Sequence, residues 1–485
     1  MPRDGSGVYT QPFPDVVAGT TIESAKYNGN VNDVEQDLNT PRPVVAGGTG
    51  GTDVNSALDN LSAEKYKQVV TNWDTNVWRA GSFYAATSAT GAAPIPGKAF
   101  AGIVYYANAT DFVIEATNIT DPGSVKYIRK QTAGVWDSWS TVDTSKKNYI
   151  INGAMMVSQE FGTTGLGSTG QYPVDMFYYA GVVTAAGVAF AQVQAGTPGG
   201  STHRIRITVT GTDATQDAGD FAAFQTAVEG YRYADLWAGQ TTPKQVTLRF
   251  GVKAPQGTYC VAFRNSATTR SYVAEYTITP AENNADVVKT VTLPATDGTT
   301  FNFDNLAGVY ITWAFMAGLN FRTTPNGWRT GNYMGTTNQS NFMGTFGNVF
   351  ELFDVSLTEG TVAPPFVVPD YANELQACKR YWGKSYSYAN PIGSANLSGG
   401  TRLEAGTASV FQPLMAFTRL AIAMRATPTL TVYDTAGTPN KVFKGVNGKS
   451  VVVQDASENG FTAGAGDDGP AGYVLFYHWK ADARL

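Results

Sequence analysis

Between residues 148 and 369 apolar side chains recur at every second position, which commits that stretch to β-strands with one face turned inward. In HRIRITVTG, Ile205, Ile207 and Val209 share one face, and Arg204, Arg206 and Thr208 share the other. KQVTLRFGVK repeats the pattern with Val246, Leu248, Phe250 and Val252, and GTYCVAFRN with Tyr259, Val261 and Phe263. SYVAEYTIT, VVKTVTL, GVYITWAF and FELFDVSL continue it. Seven or more such strands, separated by Gly, Pro and Asn turns, predict an antiparallel jelly-roll-like β-sandwich over 147–369. Composition agrees: only 15% of residues are charged, against roughly 25% in ordinary soluble chains. The 52 glycines and 23 prolines suit many turns.

The 485 residues leave room for more than this sandwich. Residues 1–45 read as an extended anchor with a short coiled-coil segment. In ESAKYNGNVNDVEQDLN, Tyr27, Val31, Val34 and Leu38 form an a/d seam about two turns long. A helix of that length is marginal alone, so the seam predicts self-association. Residues 46–69 hold the glycine break Gly47 to Gly51 and a second short helix, capped by Thr52 or Asp53 and striped by Val54, Ala57, Leu58 and Leu61. The break lacks the Lys-Ser/Thr of a phosphate loop and reads as a linker. Residues 70–146 form a small α+β or all-β module in which Tyr127, Trp136 and Trp139 flank a turn at Gly134, as core or cross-strand packing. From 370 to 485 a helix over YANELQACKRYWG, with Tyr371, Leu375, Cys378 and Trp382 on one face and Gly383 as its cap, leads into a β tip domain. The last strand, GYVLFYHWKADARL, is apolar on both faces up to His478 and is expected to be buried on both.

Charge and reactive residues exclude several functions. A net charge of −5 and no run of Lys/Arg exclude a nucleic-acid partner. Cys260 and Cys378 are too few for a disulfide framework or a zinc cluster and read as buried small hydrophobes. The opening MPRDGSGVYTQPFPD has no apolar signal core, and uncharged Met176 to Gly196 carries too many Gly, Thr and Gln residues for a membrane helix. The two histidines, His203 and His478, have no nucleophile motif beside them. Asp467-Asp468 lacks the alternating ligands of a calcium loop and reads as a solvated turn, so neither metal nor cofactor is expected. A carboxylate pair for glycoside hydrolysis stays open, because distant strands can supply it; Glu275, Asp304 and Glu404 are possible members, and no spacing selects two.

Several segments resemble bacteriophage and prophage tail-fibre proteins. PVVAGGTGGTDVNSALDNL resembles the GGTG-plus-helix segment that precedes fibre domains. GSFYAATSATGAAP through GVWDSWSTV looks like the knob-type domain of phage and pyocin fibres. NYIINGAMMVSQEFG with YPVDMFYY resembles the opening of a β-sandwich module of tail proteins, and LTEGTVAPPFVVPDYANELQACKRYWGKSY its close. MRATPTLTVYD, SENGF and FYHWKADARL are similar to the tip that follows that module, and MPRDGSGVYTQP to virion-anchoring N-termini. The order of these segments covers most of the chain. The resemblance implies a non-enzymatic virion protein, a homotrimer held to the tail or baseplate by its N-terminus. Its C-terminal domains would touch a host polysaccharide or outer-membrane receptor. No long shaft repeat is visible, which implies a short fibre of stacked domains.

Glycan sites on sandwiches stack sugars on exposed aromatic rings and orient them with polar side chains. YWGKSYSYANP offers Tyr381, Trp382, Tyr386, Tyr388 and Asn390. TTPNGWRTGNYMGTTNQSNF offers Trp328, Arg329, Asn332, Tyr333 and Asn341. The first segment is preferred because it leads into the tip. A receptor-binding fibre leads; a fibre connector and a polysaccharide depolymerase are the alternatives.

Overall fold

The computed structural model describes residues 21, 23–39, 68–120, 126–142, 147–236, 243–294, 301–404, 413–466 and 474–485. The opening MPRDGSGVYTQP, the glycine break, the helix expected at 52–61 and Asp467-Asp468 lie outside the described residues. Two compact units make up the chain, Met1–Ser145 and Lys146–Leu485.

In the first unit, helix α1 (Ser24–Asn39) covers the expected seam. Tyr27, Val31 and Val34 are 57%, 48% and 43% exposed, so this chain by itself offers them no partner among the described residues. The Leu38 side chain is outside what is described. The module that follows is a single seven-stranded sheet: β1 (Gln68–Asn72), β2 (Gly81–Thr90), β3 (Phe100–Asn108), β4 (Asp111–Asn118), β5 (Lys126–Thr132), β6 (Val135–Trp136) and β7 (Ser140–Val142). Strand β1 runs parallel to β2 and the other pairs are antiparallel. Its core gathers on Trp73, whose ring meets Phe83, Phe100 and Trp139 edge-on at 5.7, 5.6 and 5.4 Å. The two hairpin tryptophans are packing residues: Arg129 lies over Trp136 at 4.5 Å, and Trp139 Nε1 donates to the Ala92 carbonyl at 2.7 Å.

The second unit is a β-sandwich with a β tip, so the chain is mainly β, as its alternation requires. Sandwich strands in chain order are β8 (Phe177–Val182), β9 (Gly187–Gln194), β10 (His203–Gly211), β11 (Phe221–Glu229), β12 (Val246–Lys253) and β13 (Gly257–Asn265). They continue with β14 (Arg270–Ile278), β15 (Val287–Leu293), β16 (Ala307–Ala317), β17 (Trp328–Thr330) and β18 (Val349–Glu359). One sheet has the order β15-β12-β18-β10-β9 and the other β17-β14-β13-β16-β11-β8. Ile205, Ile207, Val209, Leu248, Phe250, Val261, Phe263, Ile311 and Trp313 meet between the sheets and are fully buried. Burial of this apolar face holds the sandwich together, at about 25 cal/mol per Å² of apolar surface.

Tip strands are β19 (Trp382–Lys384), β20 (Thr401–Glu404), β21 (Leu414–Arg419), β22 (Thr429–Tyr433), β23 (Lys441–Lys444), β24 (Val446–Ser457), β25 (Gly460–Ala465) and β26 (Val474–Asp482). The hub is β26, which pairs with β19, β20, β22 and β23. Its Leu475, Tyr477 and Ala481 enter the tip core, and Phe476 and His478 on its other face are buried too. Both faces are covered, as the sequence of the strand requires.

The helix between sandwich and tip is shorter than its periodicity suggests. Helix α2 (Tyr371–Lys379) starts at Asp370, whose side chain accepts the Asn373 N–H at 3.0 Å, and ends at Arg380. Gly383 is therefore no helix cap. Trp382 leaves the helical face assigned to it and lies in β19, paired Trp382↔Asp482, Gly383↔Ala481 and Lys384↔Lys480 with β26. Backbone pairing to the hub strand, together with burial of Tyr381 and Trp382, outweighs continuation of the helix. Cys378 and Leu375 still face the sandwich core, and Tyr371 is exposed.

Candidate functional site

The preferred segment divides into a buried half and an exposed half. Tyr381 is buried and donates its hydroxyl to Glu229 Oε2 at 2.5 Å, while Arg380 Nη2 reaches Glu229 Oε1 at 2.6 Å. Trp382 is 1% exposed, with the Arg484 guanidinium 5.7 Å from its ring. Tyr386 is 3% exposed and stacks on His478 with ring centroids 3.9 Å apart. These three rings cannot serve as sugar platforms, because their faces are already covered by protein. Trp328 on β17 fails for the same reason: it packs on Tyr272 and Phe301 at 5.6 and 6.0 Å. Tyr333 is half-buried against the outer layer over Cys260 and Met334, and Asn332 caps the buried Arg264 guanidinium at 2.6 Å.

Tyr388 and Asn390 stand differently. They line a groove of about 530 Å³ together with Lys384, Glu160, Thr163 and Thr164. Tyr388 is 54% exposed at this groove. The loop is held from below by Lys384, whose Nζ donates to the Asn390 carbonyl at 2.9 Å and to the Tyr388 carbonyl at 3.5 Å. Asn390 N–H closes the turn onto the Ser387 carbonyl at 3.0 Å. Lys379 Nζ approaches the Tyr388 ring at 5.8 Å. Partial burial depresses the basicity of Lys384, and Asp175 and Glu160 pull it back up. Glu160 is itself bound by Arg484 Nη1 at 2.6 Å. An exposed ring beside an amide, hydroxyls and an ammonium is a set that stacks on and hydrogen-bonds a polar ligand.

Lys384 also lines a second, smaller pocket of about 160 Å³, with Lys379, Arg419, Leu420, Ile422 and Trp479. Sequence reasoning missed this pocket. Its cations come from the end of α2, from β19 and from the end of β21, and no local run announces them.

Serine and histidine do meet once. Ser385 Oγ lies 2.9 Å from His478 Nδ1 and accepts the Trp479 N–H at 2.9 Å, while His478 Nε2 faces the Asn396 carbonyl at 3.1 Å. A triad needs a carboxylate on the second ring nitrogen and an accessible hydroxyl. Here that nitrogen meets a carbonyl and the ring is fully buried, which also holds its pKa below the usual histidine value. Glu275 accepts from Thr336 and from Asn338 at 3.1 Å, and Glu404 pairs with Arg402. A carboxylate pair absent from the sequence reading is Asp213 with Asp220. Both are buried, and desolvation followed by the neighbouring Asp220 charge raises the Asp213 pKa. Their burial keeps substrate from them.

Fold and site define a mainly β protein: a jelly-roll-like sandwich joined to an eight-stranded tip that carries a groove of mixed polar and apolar lining with one exposed aromatic ring. No protein-family model matches the chain, and no curated protein matches its sequence. Among solved structures it is similar to the enzymatically active domain of tailspike protein 4 of bacteriophage CBA120. That likeness has 12% identity and a TM-score of 0.23, and covers 44% of this chain but only 21% of the tailspike chain. It is similar to a CBM61 module in complex with β-1,4-galactotriose, at 10% identity, over 44% of this chain and 99% of that one, with a TM-score of 0.22. The R1 pyocin fibre of P. aeruginosa matches over 97% of this chain and 98% of its own, at 11% identity and a TM-score of 0.15. Likenesses this distant carry no argument about what the chain binds.

Proposed function

We infer that the chain is a tail-fibre protein of a phage or phage-derived particle, and that its C-terminal unit binds a glycan on the host surface through the Tyr388 groove. The observation that carries this reading is the exposed Tyr388 ring on a groove of about 530 Å³ that combines apolar walls, Phe161, Pro391 and Ile392, with the hydrogen-bonding side chains of Glu160, Thr163, Thr164 and Asn390. The order of fibre-like segments along the sequence supports it. So does the open seam of Tyr27, Val31 and Val34, which suits assembly with further copies of the chain as a homotrimer. The N-terminus would then be held by tail or baseplate proteins.

The test is adsorption of the labelled full-length protein to a panel of bacterial strains, with Tyr388→Ala beside it. Because the ring is exposed, the substitution should leave thermal unfolding within about 0.5 kcal/mol of the parent. Adsorption to a bound strain should fall at least about tenfold, as expected when a stacking anchor is lost. Unchanged adsorption, or adsorption to no strain, overturns the reading.

A further inference from the structure

The pocket beside the groove has a composition at odds with the chain around it. The protein as a whole is acidic, with 39 Asp and Glu against 34 Lys and Arg. Yet the pocket is lined by Lys379, Lys384 and Arg419 and by no carboxylate. Among the described residues none of the three has a carboxylate within 4.0 Å.

Holding like charges together without counter-charges costs free energy in the unliganded protein, and the cost rises where a charge is partly desolvated, as for Lys384. Elsewhere in the same unit comparable cations are given carboxylates: Arg204, Arg206, Lys289, Arg380 and Arg484 all are. A bound anion would supply here what the fold supplies there. The remaining lining is apolar, from Leu420, Ile422, Met424 and Trp479, so a bare inorganic ion would leave most of the wall unused. At about 160 Å³ the pocket is smaller than the roughly 300 Å³ where sites for whole drug-sized ligands begin. It suits one charged ring of a longer chain, and the groove that shares Lys384 suits its neighbours.

We propose that the Lys379–Lys384–Arg419 pocket takes a carboxylate- or phosphate-bearing sugar residue, so that the glycan read by the tip is a polyanion. This rests on the receptor-binding reading above and narrows it to acidic glycans. Lys379 ties the two sites together, since it lines the pocket and its ammonium approaches the Tyr388 ring.

The experiment measures binding of the full-length protein to polygalacturonate, phosphomannan and neutral dextran, alongside adsorption to a strain that it binds. The variant is Lys379→Gln with Arg419→Gln. Lys384 is left alone because it braces the 388–390 loop. The parent should bind at least one polyanion and not dextran, and the more tightly bound polymer assigns the charge to carboxylate or phosphate. The double variant should lose at least about tenfold in polyanion affinity with unchanged unfolding, as expected for charge-assisted contacts. Raising salt from about 0.05 M to about 0.5 M should weaken parent binding by a similar factor, a readout that needs no variant. Equal binding to dextran, full retention by the folded variant, or strain adsorption without polyanion binding overturns the acidic-glycan proposal and leaves receptor binding standing. Absence of both strain adsorption and polyanion binding overturns the two together.

Discussion

Two groups of basic side chains in the second unit are treated in opposite ways. On β10, Arg204 forks onto Asp286 at 2.8 and 2.9 Å and reaches Glu351 Oε2 at 2.7 Å, while Arg206 Nε takes Glu351 Oε1 at 2.5 Å. At the tip, Lys379, Lys384 and Arg419 share a pocket that holds no carboxylate. Arg264 lies between these extremes, buried on the sandwich with the neutral acceptors Gln225, Thr312 and Asn332, and its basicity is lowered by that burial. A folded chain can bury a cation when it delivers acceptors to it, carboxylates for Arg204 and neutral oxygens for Arg264. The cations of the tip pocket have no carboxylate among its lining residues, which is what the proposed anionic ligand would supply.

The contrast breaks most directly at Glu351, which is 1% exposed and serves two arginines. Glu351→Gln strips both guanidinium groups of their shared carboxylate and should cost about 3–5 kcal/mol, as when one partner of a buried ion pair is removed. Lys379→Gln at the tip should change stability by less than about 0.5 kcal/mol, since no ion pair is lost. Denaturant melts of the two variants check this, and equal costs would erase the distinction.

Trp382 sharpens the same line from the aromatic side. Its burial makes it framework, so Trp382→Ala should cost about 3 kcal/mol through lost packing and the cavity left behind. Tyr388→Ala six residues later should leave the melt almost unchanged. Comparable losses for the two would place Tyr388 in the framework as well.

These residues also show how far the sequence could be read. Alternation alone identified Ile205, Ile207, Val209 and Phe250 as core, because a strand half-buried in a sandwich has no other way to distribute apolar residues. Aromatic content of YWGKSYSYANP named Tyr388 together with Tyr381, Trp382 and Tyr386, and could not separate the exposed ring from the three buried ones. Which ring is exposed depends on β19 joining β26 through partners about a hundred residues away. Helical spacing carried Trp382 onto α2 because Tyr371, Leu375 and Cys378 continue smoothly into it, and long-range pairing cut that helix short. The unpaired cations were invisible for the same reason. Lys379, Lys384 and Arg419 look ordinary until topology brings them to one pocket without an acid.

Asp175 is the acidic counterpart of this comparison, a buried carboxylate served by no cation at ion-pair distance among the described residues. It accepts Gln159 N–H at 2.9 Å and Gln159 Nε2 at 2.5 Å, and Gln159 Nε2 also donates to the Trp382 carbonyl at 3.1 Å. Burial pushes its pKa up to about 6, against the partial opposition of those hydrogen bonds and of Arg484. The unfolded value is near about 3.9, so the folded state binds the extra proton between the two. Stability from this group is therefore full below about pH 4, falls as pH rises to about 6, and is level above that. The loss is at most about 2–3 kcal/mol. Asp175→Asn cannot ionise, so its stability relative to the parent should climb through that window and then plateau. Thermal melts of both proteins at about pH 4, 5, 6 and 7 read the difference directly. Parallel curves would mean that Asp175 keeps an ordinary pKa, and that the joint between sandwich and tip tolerates a buried charge as readily as the paired strand β10 does.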